Sequence, residues 1–267
     1  MVRSPTVDDL AALLDVARAA ARAAGELLIT GYRTHPAFEL KSRANLVTRF
    51  DRESEALLGR MLRETGIPVF GEELGGETGE ATFYVDPLDG TTNFAHGHPF
   101  FCVSIGLVER GVARLGVVLA PALGVEWSGA PSVVPSTRNG APCRVSEVSE
   151  LDAAMIATGF PSVREDRDFE AFLATKRVVQ AVRRCGAAAI DMCLVADGTY
   201  EAYFERKLNP WDFAGAAAIV AGAGGRLSSP SGGPVDLFSG ALVASNGLVH
   251  DALLRVLAPT DFATTAV

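Results

Sequence analysis

The chain has 267 residues, of which 48% are hydrophobic, and carries a formal net charge of −8, so it can bury a substantial core. The acidic balance argues against nucleic acid as a partner. Met1–Pro5 lacks an apolar signal core, and no stretch approaches the roughly 20 apolar residues of a membrane span, so we expect a cytoplasmic protein without a membrane partner.

Helix and strand patterns alternate along the first half of the chain. Apolar residues recur at helical spacing from Leu10 to Leu28, which indicates a long amphipathic helix. The pair Arg110-Gly111 between two apolar runs indicates a hairpin. The predicted elements are, in chain order, helix Thr6–Tyr32, helix Asp51–Glu64, strand Pro68–Phe70, strand Ala81–Asp86, a short helix after Gly90, strand Phe101–Glu109, strand Val112–Ala120 and strand Gly124–Ser128.

The stretch Ala130–Pro142 is rich in proline, serine and glycine and contains the turn signal Asn139-Gly140. We place the boundary between the halves there or slightly later, dividing the chain into residues 1–145 and 146–267. The second half alternates again, which favours layered helices and sheets but leaves strand order open. Its predicted elements are helix Asp166–Gln180, strand Val182–Cys185, helix Ala188–Ala196, strand Tyr200–Phe204, helix Trp211–Ala223, strand Ala241–Ala244 and helix Gly247–Leu257.

The most informative motif follows the predicted strand that ends near Val85. Asp86 and Asp89 stand three residues apart around a proline, and Gly90-Thr91 follow at once. Crowded carboxylates repel one another unless a cation lies between them, and Mg²⁺ prefers oxygen ligands. The glycine and threonine offer N–H groups and a hydroxyl to a phosphate. The alternative is an ordinary Asp-Gly turn with Asp86 as its cap.

Two further acidic sites strengthen the metal hypothesis. Glu72 follows the short apolar run that ends at Phe70, so its carboxylate also stands at a predicted strand end. Asp212 falls in the first turn of the helix that Pro210 opens. Taken singly, Glu72 could be a solvated loop residue and Asp212 a first-turn acid that the helix dipole favours. Together with the Asp86–Asp89 motif they predict a shared metal site.

On these motifs the chain resembles the inositol monophosphatase family of Mg²⁺-dependent, lithium-sensitive phosphatases. The resemblance covers nearly the whole length. The blocks that carry it are Gly71-Glu72-Glu73, Asp86–Phe94, Trp211–Gly215, Ala223-Gly224-Gly225 and, more weakly, Lys41–Asp51. It implies an α+β fold, the layered α-β-α-β-α sandwich of the inositol monophosphatase and sugar phosphatase type. It also implies a metal site between the two halves and a homodimer.

The resemblance further implies a role for each matching residue. Two or three Mg²⁺ ions are expected on Glu72, Asp86, Asp89, Asp212 and the carbonyl of Leu88. Thr91 is expected to contact the nucleophilic water and the phosphate, and Asp51 to pair with Thr91. The substrate pocket is expected to include Gly90, Thr91, Gly186, Ala187, Ala188, Glu205 and Asp212.

Specificity for the alcohol part of the substrate is less well marked. Ala187 stands where the family usually has serine or threonine, and this departure weakens inference about that part of the pocket. Glu205 follows an apolar run, which would place it at a strand end facing the cleft. It could equally be a surface carboxylate beside Arg206 and Lys207.

The predicted reaction is Mg²⁺-dependent hydrolysis of a small phosphate monoester, a phosphorylated polyol or similar compound, by a metal-activated water. Paired metals can hold both the attacking and the leaving oxygen of such a displacement. We assign Glu72, Thr91 and Asp51 to orienting the water, Asp86 to bridging metals, and Asp89 with Asp212 to the leaving-group side. Inositol 1-phosphate is the favoured substrate. The alternatives are histidinol phosphate, fructose 1,6-bisphosphate, a 3′-phosphonucleotide, or a noncatalytic phosphate-binding scaffold.

Overall fold

The computed structural model describes residues 7–42, 45–160, 166–260 and 262 of the chain. These described residues form seven α-helices: α1 (Val7–Gly31), α2 (Arg49–Arg63), α3 (Thr91–Ala95), α4 (Asp166–Lys176), α5 (Ala188–Ala196), α6 (Pro210–Gly222) and α7 (His250–Leu257). None of the helices in these ranges is both long enough and apolar enough to cross a membrane.

Fifteen strands occur in the same ranges: β1 (Phe38–Ser42), β2 (Asn45–Thr48), β3 (Val69–Gly71), β4 (Gly75–Gly76), β5 (Ala81–Asp89), β6 (Cys102–Glu109), β7 (Val112–Ala120), β8 (Val125–Ala130), β9 (Val134–Arg138), β10 (Ala141–Pro142), β11 (Met155–Thr158), β12 (Ala181–Arg183), β13 (Ala202–Arg206), β14 (Arg226–Ser228) and β15 (Ala241–Ser245). Among the described residues, strands β1 and β2 form a separate two-stranded sheet.

Two larger sheets form the framework of the molecule. The first has eight strands in the order β10-β9-β8-β7-β6-β5-β3-β4, antiparallel except where β3 runs parallel to β5. The second has five strands in the order β12-β11-β13-β15-β14, with β12, β11 and β13 mutually parallel. All strands of the eight-stranded sheet precede those of the five-stranded sheet in sequence.

Helices and sheets alternate in five layers. Helices α1 and α2 pack on the eight-stranded sheet, α5 and α6 contact strands of both sheets, and α4 packs with α7 beyond the five-stranded sheet. Each pair of adjoining layers shares buried apolar side chains, since a helix or sheet must bury its hydrophobic face against another element. The predicted α-β-α-β-α sandwich is therefore confirmed.

Close approach of backbone fixes α6 on the eight-stranded sheet. Gly106 on β6 and Gly116 on β7 are directly opposite each other, and Gly215 of α6 packs on this pair. A Cβ on Gly116 would lie 1.9 Å from the carbonyl oxygen of Gly215. Only glycine at these positions allows the helix to lie so close to the sheet.

The stretch Ala130–Pro142, where we placed the boundary between the halves, still belongs to the first sheet. It contains β9 and β10, which continue the eight-stranded sheet at its edge. Proline tolerates this location because an edge strand leaves some N–H groups without a ladder partner. The division into residues 1–145 and 146–267 stays a prediction.

Several element boundaries also differ from the predictions. The strands β1, β2, β11 and β14 were not predicted, and they have three to five residues each. Helix α4 ends at Lys176 rather than Gln180, and β13 lies two residues later than expected, at Ala202–Arg206. The predicted helix start at Thr6 falls outside the described residues. Such short strands depend on their sheet partners more than on local sequence.

A buried histidine predicts how stability depends on pH. His250 is fully buried, with its Nε2 2.8 Å from Ser228 Oγ and its Nδ1 2.7 Å from Ser245 Oγ. Burial lowers the pKa of His250 from 6.5 to about 4. Between pH 6.5 and pH 4, the unfolded chain therefore binds a proton at this histidine, whereas His250 of the folded chain stays neutral. This contribution to stability is complete above pH 6.5 and is lost as the pH falls toward 4.

We expect the free energy of unfolding to fall by about 3 kcal/mol across that interval through His250 alone. The contribution is the difference in free energy of unfolding between wild type and a His250 variant, measured by urea unfolding from about pH 8 to about pH 4.5, because the other titrating groups are common to both proteins. His250→Gln, which cannot titrate, should be less stable at pH 8 and should lose less stability on acidification. Parallel slopes for the two proteins would contradict the assignment.

Candidate active site

An acidic cavity of about 370 Å³ opens where the eight-stranded sheet meets α6 and the segment before α5. Strand ends, helix starts and one turn supply its walls, so residues distant in sequence meet there. The lining residues are Leu46, Glu72, Asp86, Leu88, Asp89, Gly90, Thr91, Thr92, Asn93, Arg184, Gly186 and Asp212.

Three carboxylates converge in this cavity. Each of Glu72, Asp86 and Asp212 directs one carboxylate oxygen into the group, and these three oxygens lie within 4.8 Å of one another. Glu72 follows β3, Asp86 lies within β5, and Asp212 lies in the first turn of α6. Several carboxylate oxygens grouped at this spacing suit a hard divalent cation such as Mg²⁺.

The strand β5 does not stop at Asp86, as the sequence suggested, but continues through Asp89. Its pairing with β6 shifts register between these two aspartates, with Pro87 in the irregular segment. Within this segment the Leu88 N–H donates to Asp86 Oδ1 at 2.9 Å. A bulge of this kind re-aims side chains without ending the strand. The two carboxylates are thus held by sheet pairing rather than by a free turn.

Asp89 is tied to the middle helical layer. Its Oδ2 accepts a hydrogen bond from the Ala189 N–H at 2.8 Å and contacts the Cys102 thiol at 3.7 Å. Asp89 lines the cavity but is outside the group of three whose oxygens lie within 4.8 Å. Burial raises the pKa of Asp89 to about 7.

Thr91 and Asp51 form the polar pair that the resemblance implied. The Thr91 hydroxyl lies 3.0 Å from Asp51 Oδ1 and 3.0 Å from the Leu88 carbonyl oxygen. Asp51 Oδ2 accepts from both the N–H and the hydroxyl of Thr48, at 2.8 and 2.7 Å, which forms a capping box at the start of α2. Asp51 is therefore immobilised, with its other oxygen directed at Thr91.

Asp212 is held by a second capping box. The Asn209 N–H donates to Asp212 Oδ2 at 2.6 Å, and Pro210 occupies the first helical position. The neighbouring Trp211 stacks on Phe70 of β3, with ring centroids 5.8 Å apart. The start of α6 is thereby attached to the strand that leads to Glu72.

The electrostatics of the cluster favour a bound cation. Burial first, and then the nearby Glu72, Asp89 and Asp212 carboxylates, raise the pKa of Asp86 well above its ordinary value. Burial likewise raises the pKa of Asp212. A positive ion among these groups would remove both penalties. Lys41 places a protein cation at the edge of the group, because its Nζ lies 3.1 Å from Glu72 Oε1 and also contacts Glu73.

The expected substrate-side residues are only partly at the cavity surface. Gly186 lines the cavity, whereas Ala187 and Ala188 are buried, with 1% and 9% of their surfaces exposed. Glu205 is half-buried and is not among the lining residues. It accepts a short hydrogen bond from the Tyr203 hydroxyl and packs against Gly159.

Sequence reasoning did not identify three residues that shape the cavity. Asn93 Nδ2 donates to the carbonyls of Phe100 and Cys185 at 2.7 and 2.9 Å, which attaches α3 to the segment before α5. Arg184 lines the cavity, and Glu55 is bonded to the turn that contains Glu72. The one available signal was that Asp51, Ser54 and Glu55 occupy the same helical face as the core residue Leu58.

Comparison with known proteins gives consistent matches. The model of the inositol monophosphatase family matches residues 9–260. An inositol-1-monophosphatase of Synechocystis sp. is 37% identical over 94% of this chain and 91% of its own length. A putative Nus factor SuhB of Neisseria meningitidis is 36% identical over 91% of this chain and 97% of its own length. The solved inositol monophosphatase of Anabaena (Nostoc) sp. PCC 7120 superposes with a TM-score of 0.83 at 35% identity, covering 94% of this chain and 96% of that chain.

Proposed function

Because the chain belongs to the inositol monophosphatase family, we propose that it hydrolyses a small phosphate monoester with Mg²⁺ and that inositol 1-phosphate is its favoured substrate. The observation that carries this proposal is the convergence of Glu72, Asp86 and Asp212 within 4.8 Å. Thr91 lines the same cavity, with Asp51 bonded behind it, and its hydroxyl can orient a water nucleophile.

Carboxylates from separate elements supply the metal site in this proposal. Two or three Mg²⁺ ions would be held by Glu72, Asp86, Asp89, Asp212 and the Leu88 carbonyl. When bound, such ions lower the pKa of a water and stabilise negative charge on the leaving oxygen. The carboxylates themselves take no part in a covalent step, and the ester is attacked by water directly.

The Thr91 hydroxyl orients the water. Asp51 is an acceptor, so a proton on Thr91 Oγ1 that points to Asp51 leaves the oxygen lone pairs free to accept a hydrogen bond from water. The water then presents its own lone pair to phosphorus. Glu72, beside the same space, accepts the second proton of the water, which fits the orienting role assigned to it.

Glycine backbone forms the phosphate side of the site. Gly90 has a φ of +88°, a conformation that side-chain-bearing residues rarely adopt, and with Thr91 it supplies N–H donors to the phosphate. The segment Gly186–Ala188 and Glu205 would bound the alcohol part of the substrate. Asp212 lines the same cavity and would also contact the substrate.

A second candidate substrate class follows from Arg184. Its guanidinium lies in the cavity lining and over the Phe160 ring, 5.9 Å from the ring centroid. Guanidinium groups bind phosphate with paired hydrogen bonds. An alcohol part that bears a second phosphate, as in fructose 1,6-bisphosphate, would therefore gain a contact that inositol 1-phosphate lacks.

Ester selectivity tests both candidates. The panel is inositol 1-phosphate, fructose 1,6-bisphosphate, histidinol phosphate and a 3′-phosphonucleotide, each assayed with Mg²⁺ and with EDTA. If the second phosphate contacts Arg184, Arg184→Gln lowers kcat/KM for the bisphosphate by about tenfold and leaves inositol 1-phosphate nearly unchanged. The neighbouring Arg183, which is not in the cavity lining, provides the matched control Arg183→Gln. Equal losses on both esters would remove the second candidate.

The panel also tests the noncatalytic alternative. Some relatives are named inositol monophosphatase and others Nus factor SuhB, so catalysis by this chain requires direct measurement. If no ester in the panel releases phosphate in the presence of Mg²⁺, the result favours the alternative of a noncatalytic phosphate-binding scaffold. The retained carboxylates and Thr91 argue against it.

A cytoplasmic homodimer without a nucleic-acid partner remains part of the proposal, and light scattering of the purified protein would test the dimer.

A further inference from the structure

One face of α2 is polar although it is buried. Ser54 and Glu55 lie three and four residues after Asp51, about one helical turn further along α2, and the exposed fractions of Asp51, Ser54 and Glu55 are 1%, 0% and 4%. The next residue on this face, Leu58, is an ordinary core residue. Core positions of an amphipathic helix are normally apolar, because a buried polar group costs free energy unless it is bonded.

Each of the three polar residues bonds to a different segment of the chain that contributes a lining residue to the cavity. Asp51 accepts from the Thr91 hydroxyl at 3.0 Å. Ser54 Oγ donates to the carbonyl of Pro87, between the two aspartates of β5, at 2.9 Å. Glu55 accepts from backbone of the turn that contains Glu72. A single rigid helix therefore sets the relative positions of three site segments.

The Glu55 contact is the most specific of the three. Its Oε2 accepts from the Glu73 N–H and its Oε1 from the Leu74 N–H, both at 2.7 Å. The turn at residues 72–74 connects β3 to the two-residue strand β4 at the edge of the sheet, where pairing alone restrains it weakly. Both carboxylate oxygens are thus used to hold the backbone next to Glu72.

The contact requires a carboxylate and an adjacent glycine. A glutamine at position 55 has one acceptor oxygen, and its amide N–H₂ would face the second backbone N–H. A Cβ on Gly71 would lie 2.2 Å from Glu55 Oε1, so only glycine leaves room for the carboxylate. The sequence Gly71-Glu72-Glu73 therefore contains both the docking point for Glu55 and the candidate metal ligand.

We propose that Glu55 is a positioning residue for the metal site, which holds the turn after β3 so that the Glu72 carboxylate meets those of Asp86 and Asp212. This inference rests on the proposed function, because it assigns Glu72 to Mg²⁺. Glu55 itself contacts neither the metal nor the ester. Loss of the Glu55 carboxylate therefore displaces the Glu72 ligand without removing it.

The test is Mg²⁺ affinity of Glu55→Gln, measured by calorimetry, against the matched control Glu201→Gln. Glu201 is also buried, and its Oε2 accepts from the Met155 N–H at 2.6 Å in the five-stranded sheet, away from the cavity lining. Both variants should have a lower Tm in EDTA. Only Glu55→Gln should raise the Mg²⁺ dissociation constant, by about tenfold or more, as losses of residues behind metal ligands do.

Kinetics give a second readout that a purely structural role would not produce. The Mg²⁺ concentration for half-maximal activity should rise in Glu55→Gln, while kcat at saturating Mg²⁺ stays within about threefold of wild type. Gly71→Ala reaches the same contact from the other side and should raise the Mg²⁺ dissociation constant in the same way. If Glu55→Gln does not fold, the Mg²⁺ affinity of Gly71→Ala tests the positioning role instead.

The possible failures are distinguishable. If the wild type binds Mg²⁺ and hydrolyses an ester, but Glu55→Gln and Gly71→Ala bind Mg²⁺ as well as Glu201→Gln does, the positioning role is overturned and the proposed function stands. If the wild type neither binds Mg²⁺ nor releases phosphate, the proposed function fails and the positioning role fails with it.

Discussion

Asp86→Asn is expected to lower kcat by about a thousandfold, because bound metals supply several kcal/mol of charge stabilisation and each 1.4 kcal/mol is about tenfold in rate. Asp86 is the buried member of the group of three carboxylates and is nearly isosteric with asparagine. The asparagine oxygen can still accept the Leu88 N–H, so the backbone of β5 should be unchanged. Steady-state assays over a range of Mg²⁺ concentrations measure the loss.

The same substitution should stabilise the protein when no metal is bound. Burial and the neighbouring carboxylates raise the pKa of Asp86, which means that its charged form is unfavourable in the folded chain. Neutral asparagine removes that repulsion, so the Tm in EDTA should rise, with about 1–2 kcal/mol of added stability. Thermal denaturation in EDTA and in Mg²⁺ should therefore rank wild type and variant in opposite orders.

Asp197→Asn provides the control for Asp86→Asn. Asp197 is also a shielded carboxylate, but it accepts from Trp127 Nε1 at 3.0 Å and pairs with Arg138, away from the cavity lining. This control should lose stability and keep Mg²⁺-dependent turnover. Near-normal turnover by Asp86→Asn would contradict the proposed function, because that function depends on the group of three carboxylates.

Gly116→Ala is expected to have the largest effect on stability. The new Cβ would lie 1.9 Å from the Gly215 carbonyl oxygen, and backbone atoms cannot move aside as a flexible side chain can. Helix α6 must then shift away from β7, at a cost of about 3 kcal/mol for overpacking of this kind. Because Asp212 lies in the first turn of α6, Mg²⁺ affinity should decrease as well.

Urea unfolding and Mg²⁺ calorimetry measure the two effects, with Gly59→Ala as the control. Gly59 is buried within α2, but the atoms nearest its would-be Cβ belong to the end of the flexible Arg63 side chain. Alanine is the better helix former there, so Gly59→Ala should be neutral or stabilising, by up to about 1 kcal/mol. Equal stabilities for Gly116→Ala and Gly59→Ala would show that close packing of α6 on the sheet is dispensable.

Local chemistry made the candidate ligands predictable. Asp86, Asp89 and Asp212 stand where an apolar run ends or a helix begins, and such places orient side chains toward a sheet edge or a cavity. The proline before Trp211 and the glycines after α6 marked the ends of that helix. Resemblance to a family then joined these separate signals into one site.

Pairing between strands was harder to predict. Ala130–Pro142 has the composition of a linker, yet it adds β9 and β10 to the sheet because β8 offers an edge for them. The continuation of β5 through Asp89 was missed for a related reason. Pro87 suggests a stop, whereas the partner strand β6 carries the pairing across the irregular segment.

The sequence alone determined the kinds of donor atoms and the elements that carry them, because helix caps, turns and strand periodicity depend on near neighbours. Only the tertiary structure decided which carboxylates meet and what holds them. The bonds of Glu55 to the turn after β3 join groups 18 and 19 residues apart, and the Gly116–Gly215 contact joins two layers. Close packing and buried hydrogen bonds create these relations, and neither leaves a periodic pattern in a single chain.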